Sequence, residues 1–461
     1  MRGMSANVLG LSLLAALCAG CVSDTRLQSS SAGKSASYSP GSPDFDFEAA
    51  ESVRDGLPGV DLYCRIPWTS LVFVRDSTGY EARYELRARF LPDAESMSVV
   101  ERSREGYVRK GTEKEDLEEL LSMRVPLPEG KYLAEVMVED RQSGATAVRR
   151  QGITVLADSC ARILRVMLVR DRGGRTEPFL PLHIPAGRDS LRAVVTLTHP
   201  AQAIGESLEV RVLRYPTDSL SALPPYYLTP TAWSVRRTAV DFRKTDSVAS
   251  RVVPVGAGAE QTVSIPLVGL KPGFHEVVAR CTARACGAND EVHVLERSRG
   301  LVIVDRFFPY VRTRRGMVEP LQYLATEKEY REIAEAPNEE ELRKLFERFW
   351  LKLGETQERA ANLIRQYYTR VEEANLQFSS YKEGWKTDRG MIHIIFGTPS
   401  MVEHRYRQEF WSYSAGYIFL FELVNPARFD EPVENWALVR DGYYEQAWVK
   451  EVDRWRRGQA F

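Results

Sequence analysis

The residues best suited to chemistry lie close together in the last quarter of the chain. Asp388 and Arg389 are adjacent, and His393 follows shortly after them. A carboxylate, a guanidinium and an imidazole could together serve a hydrolase-like site. In the predicted strand, however, His393 faces the same side as Met391 and Ile395, which favours an interior histidine over a catalytic one. The sequence also has no Gly-x-Ser-x-Gly elbow, Walker loop or Gly-x-Gly-x-x-Gly run.

A structural interpretation accounts for each residue of the segment that carries these groups, residues 384–390. Glycine tolerates crowded or left-handed backbone, and Thr and Asp side chains accept turn N–H groups. We expect Gly384 to be a left-handed residue after a helix and Gly390 to let the chain enter a crowded strand. Trp385 should be buried against the helical layer, and Thr387 and Asp388 should make turn hydrogen bonds. Arg389 should be a paired guanidinium, with Asp388 or Glu372 as its partner.

The elements that must position this segment are helices before it and strands after it. Thr326 with Glu329, and Asn338 with Glu341, fit helix-capping boxes. A long helix is then predicted from apolar residues spaced three and four apart, namely Ala360, Ile364, Tyr367, Val371, Ala374 and Phe378. After the segment, the pattern predicts strands over 391–396, 409–414, 417–423 and 436–439, and a final helix over 443–457. This order indicates an α+β module.

The segment Gly384-Trp385-Lys386-Thr387-Asp388-Arg389-Gly390 resembles the signature of the GWxTD-domain family of bacterial lipoproteins, found in envelopes of Bacteroidota-like bacteria. The resemblance extends over residues 340–455 and includes Phe349-Trp350 and Trp411 with Tyr413. It implies an envelope location and no established reaction. We therefore expect a non-catalytic structural or binding role, with the module as an interaction or assembly domain. A periplasmic hydrolase-like enzyme using Asp388, Arg389 and His393 is the alternative.

The N-terminus carries a signal for export. Arg2 precedes an apolar stretch over residues 8–17, which is too short to span a bilayer. The following Cys18-Ala19-Gly20-Cys21 resembles a lipobox, which implies cleavage after residue 20 and diacylation (palmitate-type chains) of Cys21. A plain secretory signal is the alternative. The predicted location is the cell envelope, at the outer membrane, facing either the periplasm or the cell surface.

Between the anchor and the α+β module, the pattern is that of strands. Residues 1–20 are assigned to the signal peptide and 21–58 to a Ser/Pro-rich linker. Short period-two segments separated by turns predict two tandem all-β immunoglobulin-like sandwiches, at 59–157 and 158–304. The GWxTD module takes residues 305–461. This order predicts a rod with the module at the end far from the anchor.

Charge and cysteine content limit the partners. The 62 basic and 63 acidic residues give a net charge of -1, which argues against a nucleic-acid partner. The membrane, through Cys21, and an envelope protein or glycan are the expected partners. Cys281 and Cys286 could close a local disulfide in an oxidising compartment. Zinc is the weaker alternative because the spacing is wide and no histidine adjoins Cys281. No cofactor and no metal are expected.

Overall fold

The computed structural model describes most of the chain beyond the N-terminal segment. The described residues are 38–75, 77, 79–94, 97–110, 117–156, 162–187, 190–198, 207–229, 239–256, 260–284, 292–424 and 434–459. The predicted signal peptide, Cys21 and Cys286 lie outside these ranges. No helix in the described part of the chain combines the length and apolar character that a membrane span requires.

The first folded unit is a β-sandwich of two antiparallel sheets. Its strands are β1 (Asp46–Arg54), β2 (Leu57–Pro67), β3 (Val74–Arg75), β4 (Tyr80–Pro92), β5 (Val100–Lys110), β6 (Glu118–Pro126), β7 (Gly130–Asp140) and β8 (Thr146–Val155). One sheet has the order β1-β2-β6, and the other has the order β3-β4-β7-β8 with β5 paired to β4. Alternate residues of β7 are buried, as the period of two predicts. One core of apolar side chains fills the space between the sheets.

The first strand of this sandwich corrects the predicted linker over residues 21–58. Strand β1 lies inside that range. Phe45, Phe47 and Ala49 alternate with acidic residues, and all three apolar side chains are buried in the core. The linker therefore ends earlier than predicted, because every residue from 45 to 52 is buried.

The second unit is another pair of packed sheets. Its strands are β9 (Arg162–Arg172), β10 (Arg175–Pro178), β11 (His183–Pro185), β12 (Leu191–Thr198), β13 (Ser207–Arg214), β14 (Asp246–Pro254), β15 (Glu260–Pro266), β16 (Gly273–Arg284) and β17 (Val292–Val304). The sheet orders are β10-β9-β12-β15 and β11-β17-β16-β13-β14. The pairing of β11 with β17 is parallel, and the other named pairs are antiparallel. The two predicted β-sandwich regions are thus present.

Buried ion pairs join the two sandwiches. Glu48 on β1 and Arg299 on β17 are both buried, with Oε2 and Nη1 2.8 Å apart. Glu51 and Arg162 form a second buried pair at 2.9 Å. Separating the two sandwiches would leave each of these charges without its partner, which is strongly destabilising for a buried charge. The pairs therefore favour one fixed contact between the two units.

The C-terminal unit combines helices with a four-stranded antiparallel sheet. Its helices are α1 (Arg314–Val318), α2 (Glu327–Ala334), α3 (Glu339–Gly354), α4 (Gln357–Phe378), α5 (Asp388–Phe396) and α6 (Tyr444–Arg456). Its strands, in sheet order, are β18 (Met401–Arg405), β19 (Gln408–Ser412), β20 (Ile418–Leu423) and β21 (Trp436–Leu438). Thr326 and Glu329 form the predicted capping box of α2. The Asn338 side chain caps α3 by accepting a hydrogen bond from the N–H of Glu341.

The apolar run over residues 391–396 was predicted as a strand and is instead part of helix α5. The Thr387 side chain caps this helix by accepting a hydrogen bond from the Gly390 N–H. Residues 391–395 are all buried, so no exposed face produces a helical period in the sequence. A short, fully apolar run is ambiguous between a buried strand and a buried helix, and the isoleucines favoured the wrong choice.

Candidate functional site

Two glycines of the signature allow backbone segments to meet. A Cβ on Gly384 would overlap the carbonyl oxygen of Ala374 on α4, and a Cβ on Gly390 would overlap the carbonyl oxygen of Gly384. Gly384 is not among the glycines with positive φ. The expected left-handed role of Gly384 is therefore wrong, and so is the strand-entry role of Gly390, which lies in helix α5. Both positions require glycine because of close approach.

Thr387 links these glycines through its hydroxyl. Its Oγ1 donates to the carbonyl oxygen of Gly384 at 2.7 Å and accepts from the N–H of Gly390 at 3.0 Å. The same hydroxyl thus ends the 3₁₀ turn Gly384–Lys386 and begins helix α5. The predicted turn role of Thr387 is confirmed.

Trp385 is buried between the 3₁₀ turn and the helical layer, with 6% of its surface exposed. Its N–H donates to Oδ1 of Asn375 at 3.2 Å, and its carbonyl oxygen accepts from the Tyr323 hydroxyl at 3.0 Å. The Tyr323 ring meets the indole edge-on at 6.2 Å. Trp385 is buried as predicted, although it packs in a helical turn and not at the start of a strand.

Asp388 holds helix α5 against the sheet and against the second sandwich. Its Oδ2 accepts from the N–H of Leu438 at 2.9 Å, and its Oδ1 lies 2.5 Å from Nη2 of Arg440. Arg440 also donates to the carbonyl oxygens of Leu223 and Pro224, at 2.7 and 2.6 Å. These last two residues belong to the Pro-rich loop of the second sandwich.

Arg389 pairs with Glu409 of strand β19, and not with Asp388 or Glu372 as predicted. Its Nη1 lies 3.4 Å from both carboxylate oxygens of Glu409, whose side chain is 0% exposed. The guanidinium lies over the rings of Phe378 and Trp436, at 5.3 and 5.5 Å. Glu409 was missed because its role depends on sheet pairing. Its position two residues before Trp411, on the same inward face of a strand, was the available signal.

His393 is an interior histidine, as the sequence favoured. It is 1% exposed, and its Nε2 lies 2.9 Å from Oε2 of Glu373 on α4. Its ring packs against Phe378 at 5.5 Å. In the described part of the chain no hydroxyl or thiol hydrogen-bonds to His393. Asp388, Arg389 and His393 share one helix, but each engages a different partner.

The described part of the chain begins on this module. The Tyr38 ring packs against Phe378 and Trp411, at 4.8 and 5.1 Å. The carbonyl oxygen of Tyr38 lies 2.9 Å from Nε2 of His404. Burial raises the pKa of the Tyr38 hydroxyl above its ordinary value, and the Glu373 carboxylate raises it further. The domain order predicted that the N-terminal end of the chain lies at the end of a rod opposite to the C-terminal module. In the structure, residue Tyr38 instead lies on that module.

Two cysteines, Cys64 and Cys281, lie in the described residues; both are buried, and neither forms a disulfide with another described cysteine. Burial raises the pKa of both Cys64 and Cys281. The predicted disulfide partner Cys286 lies outside the described ranges, so this pairing stays a prediction. Among the described residues, no group of three or more His, Cys, Asp or Glu side chains is arranged to hold a metal ion.

Comparison with known families identifies the C-terminal region. The family model of the GWxTD domain matches residues 289–457, from β17 to the end of α6. The matched region begins earlier than the resemblance predicted from sequence, because it includes the last strand of the second sandwich. No curated protein sequence matches the chain.

Solved structures with some similarity come from much longer chains. A red sea bream transglutaminase is 10% identical, with a TM-score of 0.17 over 56% of this chain and 31% of its own. An Escherichia coli alpha-2-macroglobulin activated by porcine elastase is 11% identical, with a TM-score of 0.18 over 58% of this chain and 22% of its own. The chain thus spans less than a third of either.

Proposed function

We propose that this chain is a lipid-anchored protein of the bacterial cell envelope with a non-catalytic structural or binding role. Two immunoglobulin-like sandwiches support the GWxTD module, which acts as an interaction or assembly domain. The observation that carries the proposal is the engagement of the signature's polar groups inside the protein. Asp388 holds Leu438 and Arg440, and Arg389 holds Glu409. These groups build the module, and a substrate would have to break those contacts to reach them.

The anchor is the second part of the proposal. Tyr38 follows Cys21 by 17 residues, a length that spans at most about 60 Å when fully extended. Because Tyr38 packs on the GWxTD module, a diacylated Cys21 would tether the chain to the outer membrane through that module, within about 60 Å of the lipid. Acyl chains contribute about 0.8 kcal/mol per buried methylene, so a diacylated cysteine would bind the membrane firmly.

The hydrolase-like alternative has less support. A general base must lie within hydrogen-bonding reach of the proton that it removes. His393 is buried against Glu373, and within the described residues neither a nucleophile nor Asp388 hydrogen-bonds to it. The histidine and carboxylate therefore fit an interior polar pair better than a catalytic one.

The non-catalytic role and the hydrolase-like alternative predict different effects of replacing Asp388 on stability and on partner binding. We would compare Asp388→Asn with the control Asp453→Asn, which alters an exposed ion pair to Arg457. For each, the thermal midpoint and the set of partners recovered from cross-linked envelopes would be measured with the full chain. We expect Asp388→Asn to lower the midpoint and to recover the wild-type partners at temperatures below it. If Asp388→Asn keeps the wild-type midpoint but loses its partners, Asp388 acts on the partners and not by building the module, and the observation that carries the proposal is misread.

The anchor is tested separately. Replacing Cys21 with serine removes the thiol that would be acylated. We expect the wild-type chain to partition into the detergent phase and its mass to include a diacylglyceryl group. The Cys21→Ser chain should remain in the aqueous phase. A wild-type chain that is exported without this mass would contradict the anchor but not the role of the module.

A further inference from the structure

We propose that the cleft between the two sandwiches and the start of the GWxTD module binds an acidic peptide segment that also carries apolar side chains. The cleft has a volume of about 730 Å³, which lies within the range of about 300–1,000 Å³ that is typical of ligand sites. Residues of all three units line it. The inference deepens the interaction role proposed above but does not depend on the lipid anchor.

One wall of the cleft is a ladder of completed ion pairs. Asp46 lies 3.0 Å from Arg65, and Glu118 is paired with both Arg65 and Arg170. Arg170 also lies 2.6 Å from Glu177. The wall can offer hydrogen bonds, but its carboxylates are already neutralised and do not repel an anion.

The remaining carboxylates of the lining are engaged as well. Asp44 lies 2.5 Å from Arg149, and Asp171 lies 2.9 Å from Arg192. Each carboxylate that lines the cleft thus has an arginine partner. Any excess charge in the cleft must come from cations that have no carboxylate of their own.

Arg306 and Arg312, which also line the cleft, are such cations. Both are exposed, and neither has a carboxylate within ion-pair distance in the described part of the chain. Arg306 lies over the Phe307 ring at 5.9 Å, and Arg312 lies over the Tyr310 ring at 4.7 Å. A guanidinium lying on a ring keeps its N–H edge free for two-pronged binding of a carboxylate.

Apolar surface accompanies these cations. Phe307 is 38% exposed and Leu376 is 49% exposed, and both line the cleft. An acidic peptide would place carboxylates on the arginines and apolar side chains on this surface. A glycan fits less well, because the carboxylates that would accept from sugar hydroxyls are already engaged.

The signature connects directly to this wall. Asn375 lines the cleft, and its Nδ2 donates to the carbonyl oxygen of Pro309 at 2.9 Å. Its Oδ1 accepts from the N–H of Trp385 at 3.2 Å. The backbone N–H of Trp385 thus orients the side chain that holds the carbonyl oxygen of Pro309, so the signature helps to position this part of the cleft lining.

The test uses the full chain in detergent and a fluorescein-labelled octapeptide of alternating Glu and Leu, with a Gln-for-Glu peptide as its control. Anisotropy titrations at low salt would measure binding to wild type, Arg306→Gln, Arg312→Gln and the control Arg314→Gln. Arg314 is exposed and does not line the cleft. We expect each cleft substitution to weaken binding about tenfold, the Gln peptide to bind at least tenfold more weakly, and Arg314→Gln to bind as wild type.

Three results would overturn the inference. These are equal binding of the Glu and Gln peptides, wild-type binding by the Arg306→Gln/Arg312→Gln double variant, and arginine-dependent binding of an oligogalacturonate in place of the peptide. Unchanged thermal midpoints would show that the variants are folded. Peptide binding by the Cys21→Ser chain is expected to equal that of wild type, so failure of the anchor and failure of the cleft give different results.

Discussion

Replacing Arg389 with methionine tests whether the signature's ion pair supports the module. The substitution keeps a long apolar stem and removes the guanidinium. It leaves the Glu409 carboxylate, 0% exposed, without its cation. Glu409 keeps one hydrogen bond, from Nε1 of Trp411 at 3.2 Å, and its Oε1 also lies 3.6 Å from Nδ1 of His404.

The magnitude follows from these contacts. Breaking a buried ion pair by removing one partner costs about 3–5 kcal/mol. The remaining Trp411 hydrogen bond reduces this cost, and loss of the contacts with the Phe378 and Trp436 rings adds about 0.5–1 kcal/mol each. Methionine recovers part of the packing. We therefore expect a loss of about 3 kcal/mol, or roughly 6–12 °C in the midpoint of a unit of this size.

Tryptophan fluorescence during urea unfolding is the suitable assay. The tryptophans at positions 350, 385, 411, 436, 448 and 455 lie in the GWxTD module, so the signal reports mainly this unit. The control is Arg405→Met, because Arg405 pairs with Glu403 at the surface, with side chains 63% and 46% exposed. Exposed pairs contribute less than about 1 kcal/mol.

A double-mutant cycle completes the test. Combining Arg389→Met with Glu409→Gln removes both charges, so the double variant should be less destabilised than the sum of the single variants, by about 2 kcal/mol. The reasoning would be refuted if Arg389→Met cost no more than Arg405→Met. Additive single effects would show that the two side chains do not interact.

Three further predictions concern other parts of the molecule. Gly384→Ala should destabilise the module by about 3 kcal/mol, because its Cβ would overlap a backbone carbonyl, whereas Gly442→Ala, which meets nothing within 4 Å, should change the free energy of unfolding by less than about 0.5 kcal/mol. Arg299→Met should cost about 3–5 kcal/mol by leaving the Glu48 carboxylate buried and unpaired, and calorimetry should then resolve separate transitions for the two sandwiches. Burial lowers the pKa of His275 from 6.5 to about 4, so the unfolded chain binds a proton more readily and stability falls as pH drops from about 6.5 to 4. This contribution is about 2 kcal/mol smaller at pH 5 than at pH 8, and urea titrations at the two pH values should show a shallower pH dependence for His275→Gln.

Regular patterns could be predicted from the sequence. Period-two burial in β7 and the stripe of apolar residues along α4 both indicate which faces meet the core. The capping box at Thr326 is likewise a local arrangement. Such features depend on neighbours within a few residues, which the sequence lists directly.

The predictions from sequence were wrong or incomplete where contacts between distant parts of the chain determine the structure. Helix α5 is buried all round, so it lacks the exposed face that distinguishes a helix from a strand. Glu409 reaches Arg389 only because strand β19 lies beside α5 in the folded module. The roles expected for Gly384 and Gly390, a left-handed residue and entry into a strand, were both wrong, because the need for glycine comes from contact with distant or folded-back backbone.

The predicted signal peptide, the lipidation of Cys21 and the Cys281–Cys286 disulfide stay predictions. Their residues lie wholly or partly outside the described ranges. Mass spectrometry of the protein purified from membranes would address all three, through the mature N-terminus, its acyl mass and non-reduced peptides.

The contact of Tyr38 with Phe378 and Trp411 has a mechanical consequence. Tension applied at the N-terminal end of the chain reaches this aromatic contact before it reaches strand β1, which begins at residue 46. The module that is synthesised last therefore takes the load first, and the first sandwich is pulled only after Tyr38 has come away.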